Sequence, residues 1–316
     1  MDTIKIYFRD IRFWIILFFF IRLIGITNPP LEIGHNWRQT TVTMVSRNFL
    51  ETDNNIFYPR IDIAGNKTGI TGMEFPLFNY LTYLVSEIFG YQHWYGRLIN
   101  LIISSLGLFF FYKLIEKYFM RNIAFSSTLI LLFSIWFTYS RKIMPDTFAM
   151  SFILAGIYFG TNYFDKNSRS GGFLNLIYYG VLIALGTLSK LPSAYLLIIF
   201  LIPILSIEVI FKRKIAFVAA SIFSLLPSII WYFYWVPYLV ETYGFLHFFL
   251  GKELYQGIIE ITNNINSALQ NFYENAFNFI GFALFLFGLV HVIIKKNKLL
   301  SYVFVLSFLS MMVIIF

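Results

Sequence analysis

The sequence predicts an all-α, polytopic transmembrane helix bundle, and three observations carry that prediction. Hydrophobic residues fill 58% of the 316 positions, aromatic residues 21% and charged residues only 13%, a balance outside that of ordinary soluble domains. Apolar stretches near the roughly 20 residues that a bilayer crossing requires recur along the chain. The basic residues fall in short clusters between those stretches, where positive charge sets membrane orientation. Helix is the secondary structure that fits, because an isolated strand leaves its backbone groups unpaired in lipid and the alternation of a barrel is missing.

The first apolar stretch, residues 11–27, follows Lys5, Arg9 and Arg12 as a signal peptide would. No small-residue cleavage pattern comes after it, so it is predicted as a retained helix interrupted only by Arg22. Further spans are predicted near 98–118, 122–139, 147–165, 173–189, 192–211, 215–236, 276–294 and 299–316, about nine in all. With the amino terminus in the cytoplasm, internal loops carry Lys113, Lys117 and Arg121, then Lys166 and Arg169, then Lys212 to Lys214, then Lys295 to Lys298, as the positive-inside rule requires. The external face receives a long loop at 28–97, the turns 140–147 and 189–193, and a second long loop near 237–275. Arg141 and Lys142 run against the charge rule in the first of those turns, which marks it as either a topological exception or a functional site. The whole of 1–316 reads as a single transmembrane domain.

Within the first external loop, Trp37, Val42, Val45 and Phe49 recur at helical spacing, with Arg38, Gln39 and Arg47 elsewhere around the turn. This predicts an amphipathic helix on the membrane surface. A second run, 75–90, has Pro76 in a first-turn position and ends at Gly90. It predicts a helix that is interfacial or buried against the bundle.

The net charge of +8 does not indicate nucleic-acid binding, because the basic clusters are orientation signals between spans. No cysteine is present, which excludes disulfides, thiolate metal sites and cysteine nucleophiles.

Two readings stand beside each candidate site residue. Asp146 follows Pro145 at the start of a span, as a helix N-cap stabilising by about 1 kcal/mol would; an ionisable group at membrane depth is also a candidate general base or metal ligand. Glu74 either complements a helix dipole or supplies a second carboxylate converging with Asp146. Lys190 suits the negative end of a helix or neutralises a phosphate. His35 is an exposed loop histidine or a proton acceptor. Arg38, Arg47, Arg60 and Arg97 form a pool of external cations facing lipid head groups or a substrate. Trp37 belongs to the interfacial aromatic belt or stacks on a sugar. A divalent metal on the carboxylates and histidine is conceivable, but the spacing does not indicate one, and the cofactor stays unassigned.

Taken in order, "RNFLE" (Arg47 to Glu51), "EFPLFNYL" (Glu74 to Leu81), "IFGYQHWYGRLINLI" (Ile88 to Ile102), "RKIMPDTFAM" (Arg141 to Met150) and "GTLSKLPSAYLL" (Gly186 to Leu197) resemble the protein O-mannosyltransferase and lipid A aminoarabinose transferase families, membrane glycosyltransferases of the GT-C type. The resemblance covers most of residues 1–211. It implies a sugar donor carried on a polyprenyl phosphate and a lipid, glycan or protein acceptor. It further implies inverting transfer at the external or periplasmic face of the plasma (inner) membrane, among membrane lipids. Such a transfer needs a base at the acceptor and cations at the departing phosphate. Asp146, Glu74 and His35 are the candidates for the first; Lys190, Arg38 and Arg97, with Gln39 and Trp37 beside them, are the candidates for the second.

The chain departs from those families in its first external loop. They carry an acidic pair about one helical stretch before the place of Ser46 and Arg47, where this sequence has Arg38 and Gln39. Neither acts as a carboxylate base, so that assignment does not transfer; His35 and Glu32 are the nearest substitutes. The resemblance also implies further spans and a soluble domain, so a C-terminal part is expected beyond Phe316. Two rival readings remain: a transporter or flippase of lipid-linked sugars, and an inactive membrane subunit. No inverted repeat supports the transporter.

Overall fold

The structure, a computed structural model, describes residues 8–31, 34–165, 172–244, 254–276, 278–294, 301–302 and 305. Lys5, Glu32, Lys166, Arg169, Lys295 to Lys298 and nearly all of the predicted span 299–316 lie outside them. Among the described residues the regular structure is helical, with no strand and one isolated antiparallel bridge between Arg60 and Ile70. The chain divides into two compact units, one of residues 1–194 and 215–249, the other of 195–214 and 250–316.

In the first unit the helices are α1 (Ile11–Leu23), α2 (Asn36–Glu51), α3 (Leu77–Phe89), α4 (Tyr95–Tyr118), α5 (Arg121–Phe133), α6 (Ile135–Tyr139), α7 (Pro145–Tyr163) and α8 (Gly172–Ser189). Beyond α8 come a 3₁₀ helix (Leu191–Phe200), α9 (Leu201–Leu205), α10 (Phe211–Ile230), a π turn (Trp231–Trp235) and α11 (Val236–Tyr243). The second unit also holds α12 (Leu254–Asn263), α13 (Ile265–Gln270), a second π turn (Asn271–Ala276) and α14 (Asn278–Ile294). The predicted loop near 237–275 is therefore largely helical where it is described.

By length and hydropathy, Tyr95–Tyr118, Gly172–Ser189 and the continuous run Phe211–Tyr243 are long and apolar enough to cross a membrane. Residues 147–165 fall on the uninterrupted 19-residue α7; several predicted spans are shorter or carry local breaks. Residues 122–139 break at Ser134, which is extended (φ −77°, ψ 165°) and whose hydroxyl donates to the Leu131 carbonyl at 2.7 Å, the local side-chain competition that ends helices. Residues 192–211 begin with Pro192 and wind first as a 3₁₀ helix. In 215–236, Pro227 removes one helical donor, and the chain widens into the π turn that begins at Trp231.

Small residues let the helices of the first unit approach closely. A Cβ added to Gly186 would stand 2.7 Å from Ile153 Cδ1 and 3.1 Å from the Ala149 carbonyl, which brings α8 onto α7. Gly107 of α4 admits Ser151 of α7 in the same way. A core cluster of Ile11, Ile15, Phe18, Leu101, Leu108, Tyr112, Ala124, Leu132 and Phe137 joins α1, α4, α5 and α6.

The polar look of α2 is largely internal. Thr40, Thr41, Thr43 and Ser46 each donate a hydroxyl to a carbonyl one turn back, so these groups are satisfied by their own helix. Val42, Val45 and Phe49 are buried as their spacing predicts, whereas Trp37 is 56% exposed and stands off that face. Asn79 Nδ2 donates to the Val42 carbonyl at 2.7 Å and fixes α3 against α2.

Candidate active site

Four charged side chains from four separate segments meet at one point of the first unit. Glu74 Oε1 accepts from Arg38 Nη2 at 2.7 Å and from Lys190 Nζ at 2.8 Å. Asp146 completes the group, with Oδ2 3.6 Å from Arg38 Nη2 and Oδ1 3.7 Å from Lys190 Nζ. Two cations and two carboxylates thus alternate. The Glu74 side chain is 3% exposed and that of Asp146 37%. Glu74 Oε2 and Asp146 Oδ2 are each buried with no hydrogen-bond partner.

Local structure explains each position. Arg38 lies in the first turn of α2 and Glu74 in the segment leading to α3. Asp146 is not the N-cap the sequence suggested: Met144 caps α7, Pro145 takes the first helical position, and Asp146 comes second. Its carboxylate therefore complements the positive helix end without closing it. Lys190 follows the last residue of α8, its N–H donating to the Gly186 carbonyl at 3.0 Å, and its side chain turns from that helix end to the carboxylates.

Burial pushes the Glu74 carboxyl above its ordinary range, with Lys190 and then Arg38 pulling it back. Withdrawal from water disfavours the charged form, and the neighbouring cations favour it.

Asn100 and Gln39, both fully buried, hold the turn that delivers Asp146. Asn100 Nδ2 donates to the carbonyls of Lys142 (2.9 Å) and Met144 (3.1 Å), while its Oδ1 accepts from Thr147 Oγ1 at 2.9 Å. Gln39 Oε1 accepts from the Ile143 N–H at 3.3 Å. Sequence reasoning missed Asn100; an amide inside an otherwise apolar span is the signal that marks it.

The remaining candidates lie apart from the cluster. His35 takes a left-handed backbone conformation (φ 59°) before α2, and its Nε2 is 2.9 Å from Tyr139 Oη. Arg97 is fully buried and donates to the carbonyls of Ile26, Asn28 and Pro29, which shapes the chain beyond α1. Arg141 donates to the carbonyls of Ile24 (2.6 Å) and Gly25 (3.3 Å). A cation that completes a helix C-terminus resolves its departure from the charge rule. Among the described residues no three histidine, aspartate or glutamate side chains gather as a metal site, and cationic groups stand between the two carboxylates.

The profile of the dolichyl-phosphate-mannose-protein mannosyltransferase family matches residues 73–233, half of the chain. The chain belongs to that family. The matched region of this mannosyltransferase-family chain contains Glu74, Asp146 and Lys190, whereas Arg38 precedes it. The crystal structures of ArnT from Cupriavidus metallidurans, one in the apo state and one bound to undecaprenyl phosphate, are similar in fold. Their TM-scores are 0.54 and 0.55 at 13% identity, and the alignments cover 96% of this chain and 59% of ArnT. The chain thus spans about three-fifths of the length of those structures. No curated protein matches it. The polytopic membrane bundle and the GT-C resemblance read from the sequence are both borne out, and the transporter reading gains nothing from these matches.

Beside the cluster, this family member has an apolar recess of about 600 Å³, lined by Phe57, Phe75, Leu188, Phe223, Pro227 and Trp231 among others. Phe75 adjoins Glu74 in sequence, and Leu188 lies two residues before Lys190. The lining of the recess is aromatic and aliphatic, and the charged groups adjoin it in sequence without lining it.

Proposed function

We propose that the chain is a membrane glycosyltransferase that moves a sugar from a polyprenyl-phosphate donor to a hydroxyl acceptor at the external face of the plasma (inner) membrane, with inversion. The observation that carries this reading is the meeting of Arg38, Glu74, Asp146 and Lys190 next to an apolar recess. The family match supports sugar transfer. The undecaprenyl phosphate held by one of the similar structures supports an isoprenoid phosphate as the donor class.

In this reading the donor's isoprenoid tail lies in the recess and its phosphate faces Lys190 and Arg38. Asp146, the more exposed carboxylate, accepts the proton of the acceptor hydroxyl as its oxygen bonds to the anomeric carbon. The bond from that carbon to the phosphate oxygen breaks. Polyprenyl monophosphate leaves, its added negative charge stabilised by the two cations. Glu74, nearly buried and shared by both cations, holds them side by side against their mutual repulsion. The transferred unit is a hexose or pentose, and the acceptor is a lipid, glycan or protein.

The test is transfer in isolated membranes supplied with a polyprenyl-phosphate sugar labelled in both its sugar and its lipid. The proposal predicts sugar label on an acceptor and an equal release of labelled polyprenyl monophosphate. Passage of the intact lipid-linked sugar across the bilayer without cleavage would overturn it.

A further inference from the structure

We infer that Trp231 and Tyr232 are positioning residues for the Glu74–Lys190 pair, an inference that rests on the glycosyltransferase reading of that site. The two are adjacent in the π turn Trp231–Trp235 and both are buried. Trp231 Nε1–H donates to the Met73 carbonyl and Tyr232 O–H to the Leu188 carbonyl, each at 2.9 Å. Met73 immediately precedes Glu74, and Leu188 lies two residues before Lys190. One short segment therefore grips the backbone beside both members of an ion pair that closes at 2.8 Å.

The grip at Leu188 answers a vacancy in the helical ladder. Its carbonyl would bond the N–H four residues on, but that residue is Pro192, which has none. Carbonyls at a helix end need partners from outside the helix, and the Tyr232 hydroxyl supplies one. Met73 lies in an irregular segment, and the indole N–H meets its buried carbonyl. Successive side chains on a helical turn diverge by roughly 100°, so the two reach different segments. Turns of the π type recur at functional sites.

Neither ring touches the proposed reacting atoms through its polar group, so the effect acts through geometry. Misplacement of a reacting constellation by about 1 Å costs on the order of 100-fold in rate, and loss of one strap is a smaller disturbance. Tyr232→Phe keeps the ring and deletes the hydroxyl, which also meets the backbone of Leu191 and Phe75; Trp231→Phe deletes the indole donor and trims the ring system that packs on Phe75. We expect each to lower kcat about tenfold with little change in the donor KM, and to lower Tm because a carbonyl loses its partner. In a Lys190→Met background Tyr232→Phe should cost less than about twofold, because the residue beside its strap is gone, and Trp231→Phe should likewise lose its effect in a Glu74→Ala background.

The experiment measures transfer in these single and double variants. It also records the NMR signal of Lys190 carrying ¹³C-methyl groups on its amine, assigned through Lys190→Arg. A Tyr232→Phe loss confined to the Lys190-containing background and a Trp231→Phe loss confined to the Glu74-containing background, with the Lys190 signal displaced in folded Tyr232→Phe, support the inference. If the parent protein transfers sugar and the variants match it, or lose as much when Lys190 (for Tyr232) or Glu74 (for Trp231) is replaced, the inference is overturned while the functional reading stands. If the parent transfers nothing, the functional reading fails and the Lys190 signal decides alone: displacement in Tyr232→Phe supports positioning, and an unmoved signal overturns it.

Discussion

Lys190 and Glu74, 116 residues apart in sequence, meet at 2.8 Å on an oxygen that also accepts Arg38 at 2.7 Å. One buried carboxylate oxygen thus holds two cations together, and their second carboxylate, Asp146, stands farther off at 3.6 to 3.7 Å. In the proposed transfer, Glu74 holds the cations and Asp146, the more exposed carboxylate, is the base; each carboxylate also keeps one oxygen without a hydrogen-bond partner.

Lys190→Met should weaken the donor step more than the chemistry alone. A charge-assisted hydrogen bond contributes about 1.5 to 3 kcal/mol, so the donor KM and the Kd for polyprenyl monophosphate should rise about 10- to 100-fold. Lys190→Arg, which keeps the charge, should recover part of that loss. Donor titrations of both variants check the prediction.

Glu74 predicts a pH dependence of stability. Its folded-state value is raised, first by burial, so the folded protein holds this proton to higher pH than the unfolded chain does. The contribution is fully present below the ordinary glutamate value, about 4.3. It is lost as pH rises through the folded-state value. Thermal unfolding in detergent across this range should show that decline in the parent protein and a flatter profile in Glu74→Gln.

Asn100→Ala should loosen the turn before Asp146. It strips partners from the carbonyls of Lys142 and Met144 and from the Thr147 hydroxyl. Unsatisfied buried groups cost about 1 to 3 kcal/mol each. A total loss of at least about 3 kcal/mol is expected, together with a reduced kcat, and calorimetry with transfer assays checks both.

Much of the fold was legible because apolar run length is a direct bilayer signal. Runs such as 98–118 and 173–189 became helices close to their predicted bounds. Convergence of Glu74, Asp146 and Lys190 was anticipated from the shared face assigned to their turns. The breaks were less visible, because Ser134 and the π turn at Trp231 interrupt sequence that stays apolar on both sides. Arg97 and His35 look alike in sequence to substrate-facing groups; only the fold shows that the first is spent on backbone carbonyls and the second stands at Tyr139. The hydroxyls of α2 close on their own helix, which composition alone does not reveal.

Gly186→Val should destabilise the bundle. The added side chain enters the space of Ile153 Cδ1 and the Ala149 carbonyl, and overpacking of this kind costs about 1 to 3 kcal/mol. A lowered Tm is expected, and combining it with Ile153→Ala, which frees room at that contact, should restore part of it.

The central claim is that Asp146 is the base of a sugar transfer carried out at the Arg38–Glu74–Lys190 cluster. Single-turnover transfer from a labelled polyprenyl-phosphate sugar by Asp146→Asn tests it most directly. Removal of a general base costs about 10²- to 10⁴-fold. The account predicts a loss in that range with polyprenyl monophosphate binding retained, and transfer at the parent rate in the variant would contradict it.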